Sequence, residues 1–186
     1  NMHQDSCNFD GYTNSIYSIT VTALDHRGLH PQYAESCAAV MVAAYSSGSG
    51  AHISTTDFKE GCSARHGGTS AAAPLAAGLY ALVLEANPAL TWRDVQQLTV
   101  MAAVQVHPED PGWQDSAIPG RRYSYKFGWG KLDAAKIVAA ARDNYRLLRP
   151  QAWYYTPYLH RGGGQKNDVK NNISSHVQPE GSNLPW

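Results

Sequence analysis

The run from Ala71 to Ala86 is almost wholly Ala, Leu, Val, Gly and Tyr. A helix apolar on all sides cannot rest with one face in water, so this composition predicts a helix in the centre of a core. Pro74 falls within its first turn, where a missing N–H costs nothing, and Asn87-Pro88 ends it. Upstream, Ser15 to Leu24 and Ala39 to Tyr45 are rich in β-branched or apolar residues and read as buried strands, the second broken by Ser46-Ser47-Gly48-Ser49-Gly50. Thr55 to Gly68 is polar and reads as irregular chain. Thr91-Trp92-Arg93-Asp94 has the form of a capping box with Asp in place of Glu. It predicts a second helix to about Ala103, apolar at Trp92, Val95, Leu98 and Ala102. Beyond a Pro/Gly/Asp-rich loop over His107 to Gly120, Asp133 caps a third helix, Ala134 to about Leu148, closed by Pro150. Strands alternating with helices predict an α/β layer fold with a mainly parallel sheet.

The chain has 186 residues, 43% hydrophobic and 16% charged, which suits one packed domain rather than a disordered chain. Fifteen basic and fifteen acidic residues cancel. Nothing in that balance argues for nucleic acid or an anionic membrane as partner. No apolar run reaches the roughly 20 residues that span a bilayer, and the polar start Asn1-Met2-His3-Gln4-Asp5 has no signal-peptide apolar segment. After Tyr158 the chain turns Gly-, Asn- and Ser-rich, a loop or linker. Three cysteines, Cys7, Cys37 and Cys62, lack metal-ligand spacing, and the odd count leaves one without a partner inside the chain. Asn172-Ile173-Ser174 is a glycosylation sequon.

The chemistry concentrates in His66-Gly67-Gly68-Thr69-Ser70-Ala71-Ala72-Ala73-Pro74. Two glycines allow a close backbone approach, and Ser70 then stands at the positive end of the long helix. An acyl-transfer enzyme needs a nucleophile beside donors for the oxyanion of its tetrahedral intermediate. On local physics alone Ser70 reads first as a helix N-cap, the commonest role of a Ser before a helix.

A wider pattern separates the two readings. The G-T-S-A-x-x-P stretch at Gly68–Pro74 resembles the nucleophile region of subtilisin-like proteases. Asp5-Ser6-Cys7-Asn8-Phe9-Asp10-Gly11-Tyr12-Thr13-Asn14-Ser15-Ile16-Tyr17 resembles the kexin/furin segment that lines the substrate cleft. Tyr45-Ser46-Ser47-Gly48, Pro74-Leu75-Ala76-Ala77-Gly78, Leu90-Thr91-Trp92-Arg93-Asp94-Val95-Gln96 and Gly128-Trp129-Gly130-Lys131-Leu132-Asp133-Ala134 are similar as well. The blocks run in family order over residues 5 to 158 and are nearest to fungal kexins.

The resemblance implies the C-terminal part of a subtilisin-like, doubly wound domain over residues 1–150. The start of a β-rich P domain is expected over 151–186. It implies Ser70 as nucleophile, with Thr69 beside the substrate. Asp10 would pair with the guanidinium of a P1 arginine, and Tyr12 would line a neighbouring part of the cleft. Asp5 and Glu35 would be oxygen ligands of a Ca²⁺ ion behind that pocket. Cys7 and Cys37 would form a disulfide, leaving Cys62 to pair elsewhere. Asn172 would carry the glycan.

Because the family's triad runs Asp, His, Ser, the Asp and His are expected upstream of residue 1, with His66 a loop residue. Asn1 stands closer to Asp5 than the family's oxyanion Asn does and lacks the following Gly, so that Asn is expected upstream too, with Asn1 itself the alternative. The implied activity is serine endopeptidase cleavage of proproteins or peptides after paired basic residues. The implied compartment is the secretory pathway, in the late Golgi, with a membrane anchor only in a longer parent. The chain alone is expected to be inactive. An esterase reading would need G-x-S-x-G, and Ala72 stands where its second Gly would be. A truncated product acting as a non-catalytic binding protein is the alternative.

Overall fold

A computed structural model describes residues 6–143, 145, 147 and 148. All of them belong to the first of two units, Asn1–Leu148; the second, Arg149–Trp186, lies outside them, as do Asp5 and Asn172. The fold is α/β. Strands β1 (Thr20–Leu24) and β2 (Val40–Tyr45) pair in parallel, Val21 opposite Val42 and Leu24 opposite Tyr45. The outer side of β2 continues into the chain around Lys131. Ala43 donates its N–H to the Gly130 carbonyl at 2.9 Å and accepts from Leu132 at 2.9 Å; Lys131 in turn exchanges both backbone bonds with Val104, at 2.8 and 2.9 Å. Gly128 (φ +60°) and Gly130 (φ +126°) make this close approach possible, because a Cβ on either would collide with the backbone of Met41 or Val104.

Helix α1 (Thr69–Ala86) packs on β1, β2 and α3 (Ala134–Arg142), and α2 (Trp92–Ala102) packs on β2 and α3. The core gathers Ala23, Val42, Ala72, Ala76, Val83, Val95, Leu98 and Ile137. The expectation that α1 is buried on all sides does not hold. Ala72, Ala76 and Val83 are buried, with Leu79 packed beside them, whereas Leu75, Leu82 and Leu84 are 48%, 53% and 43% exposed. Spacings of four, three and four residues trace one stripe, and the described elements cover only that stripe. An all-apolar composition names no preferred face. At 18 residues α1 is also long and apolar enough, by composition alone, to cross a membrane.

Pro74 is the sixth helical residue, not a first-turn residue, so the Ser70 carbonyl lacks the N–H that an unbroken helix would supply. The strand expected from Ser15 starts only at Thr20. The Ser18 hydroxyl donates to the Tyr12 and Ser15 carbonyls, at 2.6 and 3.1 Å, and holds the preceding residues in turns. Thr55 to Gly68 is not irregular: β3 (Ile53–Asp57) and β4 (Gly61–His66) form an antiparallel hairpin. Its residues are mostly exposed, so burial left no apolar alternation to read. Helix α3 stops at Arg142 rather than near Leu148, and the Leu148 N–H reaches Asp94 at 2.7 Å.

Candidate active site

At the end of β2 the chain turns, and two serines there grip the start of α1. Ser46, buried, takes the Leu24 carbonyl with its N–H at 2.8 Å and donates its hydroxyl to the Gly68 carbonyl at 2.6 Å. The Ser47 hydroxyl accepts the Gly68 N–H at 3.3 Å. Tyr33 braces Ser47, donating its hydroxyl to the Ser47 carbonyl at 2.5 Å. Both backbone polar groups of Gly68 are therefore fixed by side chains. Gly68 caps α1 at φ +77°, ψ 173°, a region open essentially to glycine alone. A Cβ on Gly67 would run into the Ser47 side chain. The pair Gly67-Gly68 is what lets Thr69 begin a helix against this turn.

Ser70 is the second residue of α1 and is exposed. Of the first-turn N–H groups, that of Ala71 already donates to the Gly68 carbonyl at 3.1 Å; Ser70 stands before it, where the helix has no preceding carbonyl four residues back to offer and the dipole adds partial positive charge. A hydroxyl beside such donors can attack a carbonyl whose oxygen becomes negative. His66 ends β4, exposed, and among the described residues no histidine is hydrogen-bonded to Ser70.

Asp25, which follows β1, is a buried acid that the sequence did not single out. It is 3% exposed. Its Oδ1 accepts the N–H groups of Arg27 and Leu29 at 2.8 and 2.9 Å, and its Oδ2 accepts the Ser49 hydroxyl at 2.5 Å. Burial pushes its pKa up, but the bonds from Ser49, Leu29 and Arg27 outweigh burial and hold it below the usual carboxylate range. Only its place at the end of an apolar strand could have singled it out.

Asp10 lies on the loop before β1. Its Oδ1 collects the N–H groups of Tyr12 and Thr13, each at 2.9 Å, and the Thr13 hydroxyl at 3.0 Å. The Thr13 N–H and hydroxyl, then the Tyr12 N–H, lower its pKa. The other oxygen, Oδ2, takes part in none of these bonds and is open to a cation. Tyr12 and Phe9, each 89% exposed, flank it. The loop is pinned to β1 by Thr20, whose hydroxyl donates to the Thr13 carbonyl at 3.0 Å. Gln96, whose amide donates to the Ile16 carbonyl at 2.9 Å, pins it to α2. The loop enters β1 at its start, whereas the nucleophile turn follows the end of β2; no hydrogen bond joins the two sets among the described residues.

Cys7 and Cys37 are disulfide-bonded, their Cα atoms 5.7 Å apart, and Cys62 is free and exposed. The bridge ties the segment that leads into the Asp10 loop to the one that carries half-buried Glu35. Among the described residues no group of three or more His, Cys, Asp or Glu side chains converges, so Glu35 and Asp10 alone do not form a closed cation cage. Asp5 is outside the described residues.

Residues 4–130 match the Subtilase family. The chain is 62% identical over 155 residues to "Kexin" of Candida albicans (strain WO-1), covering 83% of this chain and 16% of that protein. It is 54% identical over 157 residues to "Kexin" of Saccharomyces cerevisiae, covering 84% and 19%. To "Proprotein convertase subtilisin/kexin type 4" of Homo sapiens it is 48% identical over 143 residues, covering 76% and 19%. The chain thus spans about a fifth of the length of these relatives. Among solved structures, the serine protease of Aeromonas sobria is similar in fold, with a TM-score of 0.73 at 21% identity, over 79% of this chain and 33% of that one.

Proposed function

Since this chain belongs to the subtilase family, we propose that it carries the nucleophile of a kexin-type serine endopeptidase that cuts proproteins after paired basic residues. The clamp on Gly68, which presents Ser70 at the start of α1, carries the proposal. In this reading the Ser70 hydroxyl oxygen attacks the scissile carbonyl while a histidine general base takes its proton. The backbone N–H of Ser70 takes up charge on the carbonyl oxygen, and the base returns the proton to the leaving amine. The free Oδ2 of Asp10 would take the P1 guanidinium, with Tyr12 and Thr69 lining the chain of the substrate on either side. A carboxylate already held ionised by Thr13 and Tyr12 suits that pairing.

Calcium fits as a structural ion. The donors Glu35 and Asp5 are hard carboxylates, each two residues before a cysteine of the Cys7–Cys37 bridge. Bound there, the ion would offset carboxylate repulsion behind the Asp10 loop. Work in the late secretory pathway accords with that bridge and with a glycan on Asn172. A second reading is a chain that binds basic peptides without cutting them, through the exposed Asp10 carboxylate beside Tyr12.

The test is hydrolysis of a fluorogenic Lys-Arg peptide by the intact gene product, with and without Ser70→Ala. Loss of the nucleophile costs about 10⁶-fold in kcat in subtilisin, a family relative. Peptide binding without turnover would establish the second reading, and turnover that survives Ser70→Ala would sink the first. Removing Ca²⁺ with a chelator should lower the unfolding midpoint.

A further inference from the structure

Among the described residues two carboxylates are buried, Asp94 and Asp25. Asp94 caps the start of α2 and takes the Leu148 N–H. Asp25 does something else: one of its oxygens closes its own turn, and the other reaches 24 residues along the chain to Ser49. A buried carboxylate must be bonded, and the Ser49 hydroxyl meets Oδ2. Ser49 itself is held at φ +49°, a left-handed conformation uncommon for a residue with a side chain. Gly48 lies so close that a Cβ there would stand 2.6 Å from the Asp25 Cβ. Asp25 therefore grips the 46–51 turn from one side. The same turn grips Gly68 from the other, through Ser46 and Ser47.

We propose that Asp25, acting through Ser49 and the 46–51 turn, is a positioning residue for Ser70. The proposal rests on the endopeptidase reading above. Asp25 touches no substrate; it sets the turn, the turn sets Gly68, and Gly68 sets the direction in which α1 and its Ser70 hydroxyl begin. The Asp10 loop is held independently by Thr20, Ser18 and Gln96, so substrate affinity and nucleophile alignment should separate.

The variants are Asp25→Asn, which keeps an acceptor for Arg27 and Leu29 but not the charged Oδ2, and Ser49→Ala. Ser49→Ala takes the hydroxyl from the buried Oδ2 and should lower the unfolding midpoint by several degrees, leaving the protein folded at assay temperature. Both should be made in the intact gene product and read two ways. Amide hydrogen exchange at Gly68 to Ala71 should speed up, while exchange in α2 stays the same. On a Lys-Arg peptide, kcat should fall by about tenfold to a hundredfold, with KM within about twofold. Unchanged exchange at Gly68 in both variants would overturn the linkage outright. Faster exchange with wild-type kcat would overturn the positioning of Ser70. Should the unaltered protein cut no basic peptide, the peptidase reading fails, and the exchange measurement still decides for or against the Asp25–Ser49–Gly68 linkage.

Discussion

Replacing Asp94 by Ala should cost about 4 kcal/mol. Asp94 is fully buried at the start of α2. Its Oδ2 accepts the Thr91 N–H and hydroxyl at 2.7 and 2.6 Å, and its Oδ1 accepts the Leu148 N–H at 2.7 Å. Hydrogen bonds to a charged group contribute about 1.5–3 kcal/mol each and are not additive, and a lost cap costs about 1 kcal/mol. For a domain of this size that loss is a drop of about 10 °C in unfolding midpoint. Asp94→Asn keeps one acceptor and should fall between Ala and the parent. Burial raises the Asp94 pKa, but bonds from Leu148 and from the side chain and backbone of Thr91 outweigh it, leaving the pKa below its ordinary value. A depressed pKa gives stability that is present above the unfolded value of about 3.9 and is lost as pH falls through the folded one. The gap between parent and Asp94→Ala should therefore be constant from neutral pH to about 5 and narrow in stronger acid. Calorimetry of the intact gene product across that range would measure it. A gap under about 1 kcal/mol at pH 7, or one that widens in acid, would refute the reasoning.

Three further outcomes are expected. Cys7→Ser with Cys37→Ser opens a bridge between residues 30 apart in sequence and should cost about 3–4 kcal/mol in chemical denaturation. Gly130→Ala forces a Cβ onto the Val104 carbonyl at φ +126° and should cost at least about 2 kcal/mol, seen as a lowered unfolding midpoint. Asp10→Asn should lower kcat/KM by about a hundredfold or more for a P1 arginine and far less for a P1 leucine. Because the Asp10 pKa is lowered, the parent's arginine preference should persist through mild acid and fade only below the ordinary carboxylate range.

Local signals were legible where one residue type has one job. Thr91 and Asp94 form the capping box read from the sequence, Asp133 caps α3 through the Lys136 N–H at 3.0 Å, and Cys7 meets Cys37. Ser70 stands one residue into its helix. Signals failed where the deciding partner is distant. The buried stripe on α1 follows from what β1, β2 and α3 cover, which a uniformly apolar run cannot encode. The β3–β4 hairpin escaped because Thr, Ser and Asp face solvent on it. Asp25 drew no reading from the sequence, and only the fold shows Ser49 on its carboxylate. Glu35 was placed by family likeness, and the described residues alone do not complete a site around it.

The stitching of residues 129–132 between β2 and Val104 bears on how fast the chain can fold. Ala43 must wait for Gly130 and Leu132, nearly ninety residues later, before its outer bonds close. The Tyr123 hydroxyl, bonded to the Ala38 and Val40 carbonyls at 2.8 and 2.9 Å, spans a similar separation. Closing such loops costs entropy before any pairing compensates for it, so ordering is slow in proteins dominated by distant contacts. Until the Gly128–Gly130 segment docks, one side of β2 is an unpaired edge, open to pairing with another chain. The two glycines thus bear on that edge as well as on geometry: without a Cβ at either, the backbone that covers it can close up against Met41 and Val104.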